Sequence, residues 1–197
     1  MPHLDLGTCP PERREALLAE MTAPEFVVVI GNDLRLVPLL VDGLSRRFID
    51  YAICDRPTAG RLGVAVGEAV VNAIVHGNLE VESDIRDDPE DVYDKLIEAR
   101  RLDPRFRRRR VRLHCAFDST EGRITVRDEG PGFDMAAVPD PTRDENLARP
   151  YGRGILLIRA FFDDVYYSAK GNAVTMLKRR PDAAGADGAA ASSVANP

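Results

Sequence analysis

Residues 67–78 read GEAVVNAIVHGN, a largely apolar, helix-forming run that carries Glu68, Asn72 and His76 at four-residue intervals. On a helix of about 3.6 residues per turn, a step of four overshoots a full turn by only about 40°, so the three side chains form one gently slanting row. From Leu62 to Val75 the only polar side chains are Glu68 and Asn72. A buried carboxylate is costly unless something pairs with it, and this row cannot swing toward bulk water without exposing its apolar neighbours. The row therefore lines a cavity with a polar occupant. On these residues alone, the other reading is a Glu that caps a neighbouring backbone segment and a satisfied interior His.

The elements around this helix set the fold class. Upstream, FVVVI from Phe26 is β-branched and compact, as a buried strand should be, and Gly31 and Asn32 break it. Leu36, Leu39, Leu40, Leu44 and Phe48 then recur at spacings of three and four, which predicts an amphipathic helix with Asn32 or Asp33 as its cap and Pro38 near its first turn. Pro57 opens the next helix, which contains the row and ends at His76, Gly77 and Asn78. A more polar helix is expected over residues 88–102, stopped by Asp103 and Pro104.

Downstream, VRLHCAF and RITVRD flank DSTEG and read as an antiparallel hairpin. Residues 130–154 are too rich in Gly, Pro and Asp for a regular element and feed the helix GILLIRAFF. A second hairpin, DVYYSAK and AVTMLKRR about a Gly171-Asn172 turn, closes the pattern. The order strand, three helices, hairpin, loop, helix, hairpin predicts a two-layer α/β sandwich with a mixed, mostly antiparallel sheet and helices on one face. The domain is expected over residues 25–180, with a charged helical insertion at 80–108, an extension at 1–24 and a disordered tail at 181–197.

The totals agree with one globular domain: 197 residues, 44% hydrophobic and 30% charged. No secretory leader or run of about 18 apolar residues is present, and Cys9, Cys54 and Cys115 lack paired spacing, so a cytoplasmic protein with reduced thiols is expected. The net charge of −5 conceals seven acids in residues 80–91 and eight arginines in residues 100–112. Phe106 is almost the only aromatic among those arginines, which favours internal pairing or protein docking over nucleic acid.

Two further segments carry chemistry. In VRDEGPGFD a strand ends in Asp128, followed by Gly130 and Gly132. An ionised Asp only accepts hydrogen bonds and suits an exocyclic amine, while the glycines let backbone approach a flat ligand; an ordinary Asp-Gly turn would read the same way. In YGRGILLI, Gly152 and Gly154 precede a helix whose first amides and positive dipole end favour an anion, and Arg153 adds charge, although Gly before a helix often serves only the turn. No G-x-x-x-x-G-K-[ST] P-loop is present.

Together these segments resemble the GHKL, or Bergerat-fold, ATP-binding domains: Glu68 to Asn72 as the N box, Asp128 to Gly132 as the first glycine box, Gly152 to Gly154 as the second. The E-A-x-x-N-A-x-x-H-G-N wording and the closing G-R-G-I to G-N-x-V-T pattern look like the anti-sigma-factor serine/threonine kinases, over residues 26–180. The resemblance implies ATP and Mg²⁺ as cofactors, Glu68 as general base and Asn72 as ligand to Mg²⁺. It also implies Asp128 as acceptor from adenine, Gly130 and Gly132 beside the base, and Gly152, Arg153 and Gly154 on the phosphates. Residues 134–151 would form a lid over ATP. His76 either points into the pocket or braces the helix end and receives no catalytic role.

By the same resemblance the partners are a small antagonist protein, phosphorylated on Ser or Thr, and a regulated protein such as a sigma factor, with a homodimer implied; the charge pattern and hydropathy add the expectation of no nucleic-acid or membrane partner. The alternative is a module in which ATP gates protein binding and no phosphate moves. A histidine-kinase catalytic domain is not expected, because no dimerisation helix with an acceptor His precedes Phe26.

Overall fold

The computed structural model describes residues 1–6, 21–82, 92–133 and 153–181. Strands β1 (His3–Asp5), β2 (Glu25–Ile30), β3 (Val111–Phe117), β4 (Glu121–Arg127), β5 (Asp164–Tyr167) and β6 (Ala173–Arg179) form one sheet in the order β1-β2-β3-β4-β6-β5. All neighbours run antiparallel except β1, which lies parallel to β2 at the edge. The sandwich is thus the expected one, with an edge strand at residues 3–5 that three residues of sequence could not announce.

Four α-helices complete the described elements: α1 (Val37–Asp50), α2 (Arg56–Asn72), α3 (Val92–Leu102) and α4 (Arg153–Phe161). Asp33 caps a short 3₁₀ turn, Leu34–Leu36, ahead of α1, and Pro38 sits in the first turn of α1, where its missing N–H costs nothing. Asp55 caps α2 by accepting from the Thr58 N–H at 2.9 Å. The start expected for α3 and the tail beyond residue 181 lie outside the described residues.

Period-two alternation puts Leu113, Cys115, Ile124, Val126 and Met176 into the core from the sheet, opposite Leu40, Leu44 and Phe48 of α1 and Leu62, Val66 and Val70 of α2. Phe48 meets Phe117 edge-on with centroids 5.2 Å apart and also packs on Phe162 at 6.1 Å, joining α1, β3 and the end of α4. Small residues let α1 and α2 approach closely: a Cβ on Gly67 would stand 3.1 Å from Val41, and one on Gly63 would overlap Ser45. The segment Arg56–Asn78 is long and apolar enough to cross a membrane, yet 56% of its most apolar window is buried within the fold, as befits the central core helix.

Candidate functional site

The central helix changes character where the motif ends. From Ala73 to Asn78 the backbone widens into a π turn, with Leu79 N–H bonded to Ile74 O at 2.9 Å. The row is therefore broken at its last member. Glu68 and Asn72 stand on α2 proper, half-buried, and bond to no described residue. His76 falls in the wide turn and donates through Nδ1 to the Val81 carbonyl at 2.6 Å, so it braces the helix exit.

The same turn delivers Gly77 against Asp128. A Cβ on Gly77 would lie 2.6 Å from Asp128 Oδ1 and 2.7 Å from Oδ2, so the helix backbone touches the carboxylate. Asp128, one residue past β4, is 8% exposed. Its Oδ1 accepts from the Gly130 N–H at 2.8 Å, and Oδ2 has no partner among the described residues. Burial raises its pKa above the ordinary carboxylate value, against weaker opposing effects from the Gly130 N–H, Lys170 and Arg109.

Asn172 holds this residue from the other side. Its side-chain Nδ2 donates to the Asp128 carbonyl at 3.1 Å, and its own carbonyl accepts the Asp128 N–H at 3.1 Å. Gly130 packs so closely on the Gly77 carbonyl that a Cβ would overlap it. Gly132, at φ +81°, faces the Lys170 carbonyl, while Gly171, at φ +76°, faces Phe133, so the loop after β4 interlocks with the β5–β6 turn. Lys170 Nζ completes the lock by donating to Gly130 O at 2.9 Å.

The third motif meets the first. A Cβ on Gly154 would stand 2.8 Å from Glu68 Oε2 and 3.3 Å from Asn72 Nδ2, which sets the first turn of α4 directly over the acid and the amide. Gly152 and the expected lid at 134–151 lie outside the described residues; the backbone of Arg153 opens α4. One helix thus touches every motif: α2 meets α4 through Glu68 and Asn72, and its π turn meets Asp128 and Gly130 through Gly77. What faces this wall can be bound by a carboxylate acceptor at one end and by helix-terminal amides at the other.

Several residues of the site were not read as such from the sequence. Asn32 passed as a helix cap and Asn172 as a turn residue, which are the usual duties of Asn. Asn78, fully buried, bonds Asn32 Oδ1 at 2.8 Å and accepts the Glu129 N–H at 2.8 Å. Among the described residues of the charged insertion and its end, Arg101 pairs with Glu98, Arg105 with Asp103, and Arg109 with Glu80 at 2.7 Å. Phe106, only 6% exposed, lies under the guanidinium groups of Arg100, Arg105 and Arg109 at 5.1–5.6 Å and offers no stacking surface.

Residues 32–178 match the family model of the histidine kinase-like ATPase domain. The match spans most of the chain, and the chain belongs to this family, within the GHKL class. Membership makes it an ATP-binding domain of the hydrolysing or kinase type. A search of curated proteins found no match to the chain.

Proposed function

We propose that the protein is an ATP-dependent serine/threonine kinase of the anti-sigma-factor type, which phosphorylates a small antagonist protein and thereby controls its hold on a partner such as a sigma factor. The observation that carries this reading is the seat of Gly154 over Glu68 and Asn72. It sets amides at the start of a helix, a carboxylate and a carboxamide around one point, where a terminal phosphate would sit.

In this reading Asp128 accepts a hydrogen bond from the adenine amino group; Gly130 and Gly132, whose missing side chains make room for the Gly77 and Lys170 carbonyls and not for the ring itself, shape the loop beside it. The amides of Gly154 and its neighbours, with Gly152 and Arg153, hold phosphate oxygens. Glu68 takes the proton from the attacking hydroxyl as its oxygen bonds to the γ-phosphorus and the bond to ADP breaks, a reaction in which the protein chiefly positions and neutralises.

The donor set fits magnesium: Asn72 offers one amide oxygen, with the Glu68 carboxylate one helical turn away, and nucleotide phosphates and waters would complete the shell. The bound ion would neutralise charge on the phosphates. Asn72 would be its protein ligand.

The test incubates the purified protein with γ-labelled ATP, Mg²⁺ and small antagonist proteins from the native source. Label is expected on a Ser or Thr of one of them, and Glu68→Gln is expected to bind ATP without transfer. ATP binding with no transfer to any candidate, and unchanged partner release by Glu68→Gln, would replace the kinase with an ATP-gated binding module.

A further inference from the structure

A chain of buried amides runs from the charged insertion to the loop after β4. Asn32 Nδ2 donates to the Phe106 carbonyl at 3.0 Å, Asn78 Nδ2 donates to Asn32 Oδ1 at 2.8 Å, and the Glu129 N–H donates to Asn78 Oδ1 at 2.8 Å. Asn78 is 0% exposed and Asn32 5%, so neither amide can exchange these bonds for water without opening the core. The relay ends on the peptide that joins Asp128 to Glu129.

That peptide lies just beyond β4 and is held on two sides: its Asp128 carbonyl accepts from Asn172 Nδ2 at 3.1 Å, and its Glu129 N–H is held by the relay. The Glu129 carboxylate is held too, accepting the Arg110 N–H at 3.0 Å. At the other end, Arg109 donates to the Asn78 carbonyl at 2.8 Å, and Arg100 donates to the carbonyls of Leu79 and Glu80. Glu80 sits at φ +55°, a conformation costly for a residue with a side chain, and these arginines hold it there. The insertion thus grips both the exit of the central helix and the loop that aims Asp128.

We propose that Asn32 and Asn78 are positioning residues that set base specificity: anchored on the Phe106 segment, they fix the direction in which the Asp128 carboxylate faces the exocyclic amine of the nucleotide. This rests on the reading of Asp128 as the adenine acceptor. A hydrogen bond to a base edge is sensitive to angle and distance, whereas contacts with phosphate at the start of α4 do not pass through this loop. Loosening the relay therefore weakens recognition of the amine and leaves the phosphate end as it was.

The experiment compares affinity for Mg-ATP with affinity for the magnesium complex of purine riboside triphosphate, which lacks the amine, in the full chain and in Asn78→Ala and Asn32→Ser. Thermal melting confirms that each variant is folded. Asn78→Ala is expected to weaken ATP about tenfold while changing the amine-free nucleotide less than about twofold. Asn32→Ser is expected to shift in the same direction by less, and it carries the test should Asn78→Ala not fold. Equal losses for both nucleotides, or no loss for either, would reduce the relay to a structural amide pair and overturn the proposal. A wild-type protein that binds both nucleotides equally would instead overturn the reading of Asp128, and the proposal with it.

Discussion

Gly77 is in van der Waals contact with the Asp128 carboxylate, so closely that any side chain at position 77 would occupy the place of its oxygens. The contact exists because the helix opens into a π turn one residue after Asn72. It joins the acid-and-amide row to the carboxylate end of the same wall. Gly77→Ala is accordingly expected to displace Asp128 and weaken ATP binding by about tenfold or more, with a stability loss of about 1–3 kcal/mol from overpacking. Calorimetric titration with Mg-ATP, alongside urea unfolding, measures both.

Gly154→Ala separates binding from stability in the opposite sense. Alanine improves helix propensity over glycine by up to about 1 kcal/mol, so the fold should hold or gain. Its methyl group would stand 2.8 Å from Glu68 Oε2, in the space assigned to phosphate. Melting temperature should therefore stay level or rise while phosphoryl transfer and ATP affinity fall.

Much of the candidate site was legible, because polar residues in apolar surroundings stand out. Glu68 and Asn72 stand out in an apolar helix, and Asp128 follows a clean alternating strand before two glycines. The π turn was not legible, since one extra residue in a turn leaves no mark on composition, and it took His76 out of the row and brought Gly77 in. Asn32, Asn78 and Asn172 were hidden for another reason: Asn caps, turns and relays look alike until the distant partner is known, and their partners here lie 44–74 residues away. The parallel pairing of His3–Asp5 with β2 is likewise a tertiary fact, carried by three residues.

The acid limb of ATP binding should reflect burial of Asp128. Its pKa is raised above the ordinary 3.8, and only the ionised carboxylate is a pure acceptor, so affinity should decline at a pH above that ordinary value. The stability sign is opposite. Between 3.8 and the raised pKa the folded state binds more protons than the unfolded one, so the ligand-free protein gains stability from this group as pH falls. Asp103, held down to about 2 by Arg105, contributes stability that is lost only at lower pH, below its unfolded value. Titrations of the wild type across pH with Mg-ATP and with the amine-free purine riboside triphosphate isolate the first effect, which should be absent for the nucleotide without the amine.

The core makes its own prediction. Phe48→Ala empties the space between Phe117 and Phe162 and should cost about 3–5 kcal/mol in chemical denaturation. Because Phe48 is fully buried and belongs to none of the three motifs, the folded fraction should still bind ATP with unchanged affinity.

The central claim is that the helix start at Gly154, the Glu68–Asn72 pair and Asp128 make one nucleotide pocket. Isothermal titration of the intact protein with ATP, with and without Mg²⁺, tests it most directly, with Asp128→Asn as the control. Saturable uptake that weakens without magnesium and collapses in the variant is the predicted result. No heat from Mg-ATP with the folded wild-type protein, or uptake indifferent to Asp128, would contradict it.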